Sequence, residues 1–153
     1  MAAHETAHAL HRSVSDIPFE GVTVAEKLML EGLATLTSEA ATPGLGDEVY
    51  LWPGYSTTTD GQGVTAWLER CVALKPELKV QLLQHLNSDD PATFARYFNA
   101  GSRYRYEQTP VRAGYAVGFW LLRRLHRRLE LSELVRWNRK RIREKIAHAL
   151  SSD

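Results

Sequence analysis

The sequence predicts an all-α, mostly helical domain, and three observations carry that prediction. Apolar residues recur every three or four positions, as in VTVAEKLMLEGLATLTSEA and YAVGFWLLRRLHRRL. Helix starts are marked repeatedly, by Thr23 with Glu26 three residues on, by Asp90 before Pro91, and by Ser132 before a last apolar period. No pair of alternating strands and no internal repeat interrupts them. At 153 residues, 44% hydrophobic and 24% charged, residues 1–153 read as one domain with a real core.

Each element follows in order. Residues 3–12 form a short helix ending near Ser13. In the second helix Thr23 is the N-cap, Glu26 completes a capping box, and Val24, Leu28, Leu30, Leu33 and Leu36 supply a buried side. A long irregular stretch, ATPGLGDEVYLWPGYSTTTDG, is broken by Pro43, Gly44, Gly46, Pro53 and Gly54. Tyr50, Leu51, Trp52 and Tyr55 are expected to pin it to the body, and loops of this length are often functional.

A helix over 62–73 should turn Trp67, Leu68 and Val72 inward, and one over 76–87 opens on Pro76. Asp90 caps the next, with Pro91 at its first position and Gly101 as its stop. Pro110 opens a long helix to about Leu129, with Leu121, Leu122, Leu125 and Leu129 inward. Gly114 and Gly118 share one face and permit close approach by another helix. Ser132 caps a last, basic helix over 132–150, packed through Leu134, Val135, Ile142, Ile146 and Leu150.

The formal net charge of +1 hides an uneven layout. Residues 1–100 carry 13 acidic and 6 basic side chains, and residues 101–153 carry 5 acidic and 13 basic. Much of this charge is expected to pair within the domain; otherwise the basic half would attract an anionic partner. The single cysteine, Cys71, excludes an intrachain disulfide and a multi-cysteine zinc site, and reads as a core residue. It suits a reducing compartment, so a cytoplasmic location is expected. No apolar run reaches the length of a membrane span, and there is no signal-peptide apolar region at the N-terminus.

One motif carries chemistry. HETAH places His4 and His8 four apart, on one face of a helix, where each can give a ring nitrogen to the same zinc ion. Glu5, one residue round the turn, is placed to take a proton from a metal-activated water. A catalytic site needs a third protein ligand. The candidate is Glu31, on a second helix antiparallel to the first; Glu26 is the alternative but belongs to the cap. Glu39, two turns beyond Glu31, is a candidate outer acceptor for a ligand histidine. His11 either competes as a ligand or sits in solvent.

HETAH, LMLEGLATLTSE and TPVRAGYAVGFWLL together resemble a family of largely uncharacterised, predicted zinc-dependent proteases. That family falls in the broader gluzincin-like group, in which two histidines and a later glutamate bind zinc. EGLA is similar to the glutamate-bearing helix motif of zinc aminopeptidases, although Leu30 stands where their pattern has asparagine. The resemblance implies Zn2+ as cofactor, a peptide or protein substrate, His4, His8 and Glu31 as ligands, and Glu5 as general base. It further implies a later residue that stabilises the oxyanion. Tyr115 is the candidate, with Arg112 as an alternative or as an anchor for a substrate carboxylate. Read from the residues alone, Tyr115 is equally a core aromatic with its hydroxyl paired. Arg112, placed in a helix's first turn, calls for an acidic partner or ligand.

Sites of the resembled group lean on a sheet upstream of the first histidine, and three residues precede His4. The expectation is therefore an N-terminally incomplete domain with weakened zinc binding and weak or lost activity. The alternative function is a non-catalytic helical protein whose basic last helix binds an acidic partner. Nucleic acid is an unlikely partner: Arg103, Tyr104, Arg105 and Tyr106 interleave charge and aromatics over only four residues. His85, His126 and His148 stand alone and read as ordinary helix residues.

Overall fold

The computed structural model describes residues 2–18, 22–51, 63–99 and 108–152. These residues form nine α-helices and no β-strand: α1 (Ala2–Val14), α2 (Val24–Ala41), α3 (Asp47–Leu51), α4 (Val64–Ala73), α5 (Lys75–Gln84), α6 (Pro91–Phe98), α7 (Ala113–His126), α8 (Leu131–Leu134) and α9 (Arg139–Ser151). The all-helical class expected from periodicity is the one found.

The hub is α2. Its residues from Val24 to Leu36 are buried, with Lys27 the exception, so the helix is covered on nearly all sides. It packs most extensively on α7, then on α1 and α9. The capping box forms as its sequence requires: Thr23 Oγ1 accepts from the Glu26 amide at 3.4 Å, and Glu26 Oε2 accepts from the Thr23 amide at 2.8 Å.

The α2–α7 crossing depends on two glycines. A Cβ on Gly118 would press on the Leu28 carbonyl, and a Cβ on Gly32 would press on the Gly118 carbonyl. The two backbones therefore approach in a way that side chains forbid. Gly114, expected to share this role, faces the Phe98 ring of α6 instead. The two glycines thus seat two different neighbours.

Several boundaries differ from expectation, each for a local reason. The segment expected as a helix from Pro110 begins as a turn, with the Ala113 amide donating to the Pro110 carbonyl at 3.0 Å, and α7 starts only at Ala113. The expected helix over 132–150 is broken. Trp137 is fully buried between α8 and α9, and Asn138 caps α9 by accepting from the Arg141 amide at 2.9 Å. Ser132 therefore lies inside α8 rather than at a cap. Val72 is exposed on α4, where only Trp67 and Cys71 are buried. Pro76 and the Asp90–Pro91 pair sit at the helix starts where they are expected. α6 ends at Phe98, ahead of the expected stop.

The expected irregular stretch after α2 contains the short helix α3. The Tyr50 hydroxyl donates to the Thr42 carbonyl at 2.7 Å, and Leu51 is buried. Trp52 and Tyr55 lie outside the described residues.

Candidate metal centre

The site forms where α1 packs on α2. HETAH lies in the first half of α1, so helical geometry alone stacks the His4 and His8 rings on one face, their centroids 4.8 Å apart. Glu31 lies mid-way along α2, its side chain only 6% exposed. The packing of the two helices brings three donor atoms together. His4 Nε2 and His8 Nε2 are 3.2 Å apart, and Glu31 Oε2 is 3.4 Å from the first and 3.5 Å from the second.

These separations test whether the residues fit a metal. Tetrahedral zinc with ligand bonds of about 2.0–2.2 Å sets its ligand atoms roughly 3.3–3.6 Å apart. The observed triangle has that size, and its donor set of two imidazoles and one carboxylate suits zinc. The residues fit the ion.

Lys27, which the sequence reading did not single out, completes the carboxylate's environment. Its Nζ lies 2.6 Å from Glu31 Oε1, which leaves Oε2 to face the histidines. The signal for it was the Lys–Glu spacing of four on one helix. Burial opposes ionisation of Glu31. The imidazoles and Lys27 outweigh it and hold the carboxyl well below the usual carboxylate range.

A cavity of about 520 Å³ opens beside this triangle. Glu5, exposed on α1, lines it, as do Thr35, Tyr50, Leu51, Arg112 and Tyr115. The structure thus gathers the sequence-derived candidates His4, Glu5, His8, Glu31, Arg112 and Tyr115 around one space. Tyr115 is partly buried, its ring 6.1 Å from that of Phe98. Burial, then the nearby Glu31 carboxylate, raises its pKa, so its hydroxyl keeps its proton at neutral pH. The Arg112 guanidinium lies over the Tyr115 ring, 3.9 Å from its centroid. Arg112 is not in a helix's first turn as expected. It is the residue before α7, in the left-handed region at φ 58° and ψ 23°.

Two expectations near the site are corrected. Glu39 does not reach a ligand histidine; it accepts from Arg123 Nε at 3.1 Å and Nη2 at 2.7 Å. The Nδ1 atom of His8 is buried with no hydrogen-bond partner among the described residues. His11 lies outside the cluster of His4, His8 and Glu31 and is not solvated: it is fully buried. Burial chiefly lowers its pKa to about 4, so it is neutral at pH 7.

Part of the charge asymmetry resolves within the chain. Buried Glu26 pairs with Arg139 at 2.7 Å and Arg143 at 3.2 Å, and Arg123 bridges Glu39 and Asp47. Arg141 meets Glu133 at 2.6 Å. Three arginines of α9 are therefore committed to the chain's own carboxylates. Cys71 is a core thiol whose pKa burial pushes up to about 12. Residues 103–106 lie outside the described residues. No described helix is long and apolar enough to cross a membrane.

Fold and site define a class: an all-helical domain built around a candidate His–His–Glu metal centre. The chain belongs to the family described as "Predicted Zn-dependent protease (DUF2268)", whose model matches residues 1–144. No curated protein and no solved structure matches it.

Proposed function

We propose that this protein is a zinc-dependent peptide hydrolase of the gluzincin-like type, with His4, His8 and Glu31 as the metal ligands. The observation that carries the reading is the triangle of three donor atoms 3.2–3.5 Å apart at the wall of a cavity large enough for peptide side chains. Zinc held there supplies Lewis acidity, lowering the pKa of a water and polarising a carbonyl.

The chain's own residues do the rest. Glu5, adjacent in sequence to His4 and facing the cavity, takes the proton of the attacking water and returns it to the leaving amine. Tyr115, protonated at neutral pH, donates its hydroxyl proton in a hydrogen bond to the oxyanion that develops on the substrate carbonyl. Lys27 holds one oxygen of Glu31 and so orients the other toward the histidines. Leu51 and Tyr50 give the cavity an apolar wall against which a substrate side chain packs.

The test is zinc content after dialysis, by elemental analysis, with peptide hydrolysis measured alongside. Wild type is expected to retain about one zinc and the His4→Ala/His8→Ala variant none. Glu31→Ala should lose most of its zinc affinity. Equal zinc retention by wild type and Glu31→Ala would sink the ligand assignment.

A further inference from the structure

Arg112 is a buried cation with no counter-charge among the described residues. It is 9% exposed and lines the cavity beside the metal centre. No carboxylate among the described residues pairs with it, whereas Arg123, Arg139, Arg141 and Arg143 each have one. Glu31, the acidic group of the metal centre, is committed to His4, His8 and Lys27.

Two further features make this placement unfavourable for the free protein. The backbone at Arg112 is left-handed, the one such non-glycine among the described residues, at a cost of about 1–2 kcal/mol. Its charge also stands at the N-terminal end of α7, where the helix dipole disfavours a cation. Contact with Tyr115 aims and partly stabilises the guanidinium but does not neutralise it. An anion in the cavity would satisfy the buried charge.

Resting on the hydrolase reading, we infer that Arg112 anchors a carboxylate of the peptide substrate. The substrates are then peptides that present a free C-terminus or an acidic side chain close to the bond cleaved. Arg112 and Tyr115 lie one helical turn apart, so the anchored carboxylate and the proposed oxyanion donor belong to neighbouring parts of one ligand.

The experiment compares binding of matched peptides by calorimetry, with zinc-loaded Glu5→Gln protein to prevent turnover and with zinc-free protein. Acetyl-leucyl-alanyl-phenylalanine as free acid is compared with its amide. An amidated peptide with an internal glutamate is compared with its glutamine counterpart. At least one acid is expected to bind about 10- to 100-fold tighter than its neutral partner. Arg112→Met should abolish that difference and Arg112→Lys should retain part of it. The winning pair assigns the source, C-terminus or side chain.

Equal binding within both pairs overturns the inference and leaves the hydrolase reading standing; so does discrimination that survives in Arg112→Met. Zinc-loaded wild type that cleaves no peptide overturns the hydrolase reading instead, while acid–neutral discrimination is still read from binding. If Arg112→Met fails to fold, the wild-type comparison and Arg112→Lys decide.

Discussion

At the scale of single residues, the proposed function depends on where protons sit. Glu5 and Glu31 are both glutamates near two histidines, yet one is exposed and the other nearly buried. The exposed one is the proposed proton carrier, and the buried one is held ionised. Glu5→Gln is therefore expected to keep zinc while lowering kcat/KM by about 100-fold or more; metal-dependent activity surviving that change would remove Glu5 from the mechanism. His11 carries a separate prediction. Its folded pKa of about 4 lies below its ordinary 6.5, so protonation favours the unfolded chain. Above pH 6.5 it contributes nothing. As the pH falls from 6.5 toward 4 it costs stability, up to about 3 kcal/mol. Urea unfolding of chelator-treated His11→Leu should show a flatter pH dependence than wild type over that window.

At the scale of elements, α2 is held by contacts of different kind at its two ends. Mid-helix, the Gly32–Gly118 contact sets its distance from α7. Gly118→Ala should destabilise the fold by about 1–3 kcal/mol, read from the urea midpoint, because the obstacle is backbone that cannot rotate away. At its N-terminus, Glu26 serves both its own cap and the two arginines of α9. Glu26→Gln should cost about 1–2 kcal/mol, limited because Arg139 and Arg143 are partly solvated and regain water when the charge is lost. The paired arginines, working against burial, lower the Glu26 pKa. Its contribution is present above the ordinary carboxylate pKa and is lost as the pH falls through the lowered one.

At the scale of the whole molecule, the candidate metal centre joins α1 to the hub helix. Zinc bound only by the folded chain stabilises by about 2.7 kcal/mol at a free concentration 100 times Kd. For a domain of this size that is a rise in Tm of roughly 5–10 °C. Calorimetry with and without zinc should show the rise in wild type and its loss in His4→Ala/His8→Ala. The long-range ion pairs act at the same scale, linking the acidic first part of the chain to its basic last part through Arg123, Arg139 and Arg143.

The local rules of the chain determined much of this. Periodicity, the Thr23–Glu26 box, the Asp90–Pro91 start and the spacing of His4 and His8 depend on neighbours within one helical turn, and all are visible in the sequence. The same spacing rule nominated Glu31 over Glu26, since a glutamate three residues after a threonine cap has a use already. Contacts between distant segments were decided by the tertiary structure. Glu39 has an arginine partner 84 positions away, and Gly114 and Gly118 seat different helices. Trp137 breaks an otherwise helical pattern because burying its ring turns the chain and lets Asn138 cap α9. Arg112 was placed by sequence in a helix; its left-handed backbone and its place at the cavity arise from how the turn before α7 is packed. Spacing along a helix states which side chains share a face, but which face meets which partner depends on packing between segments far apart in the chain.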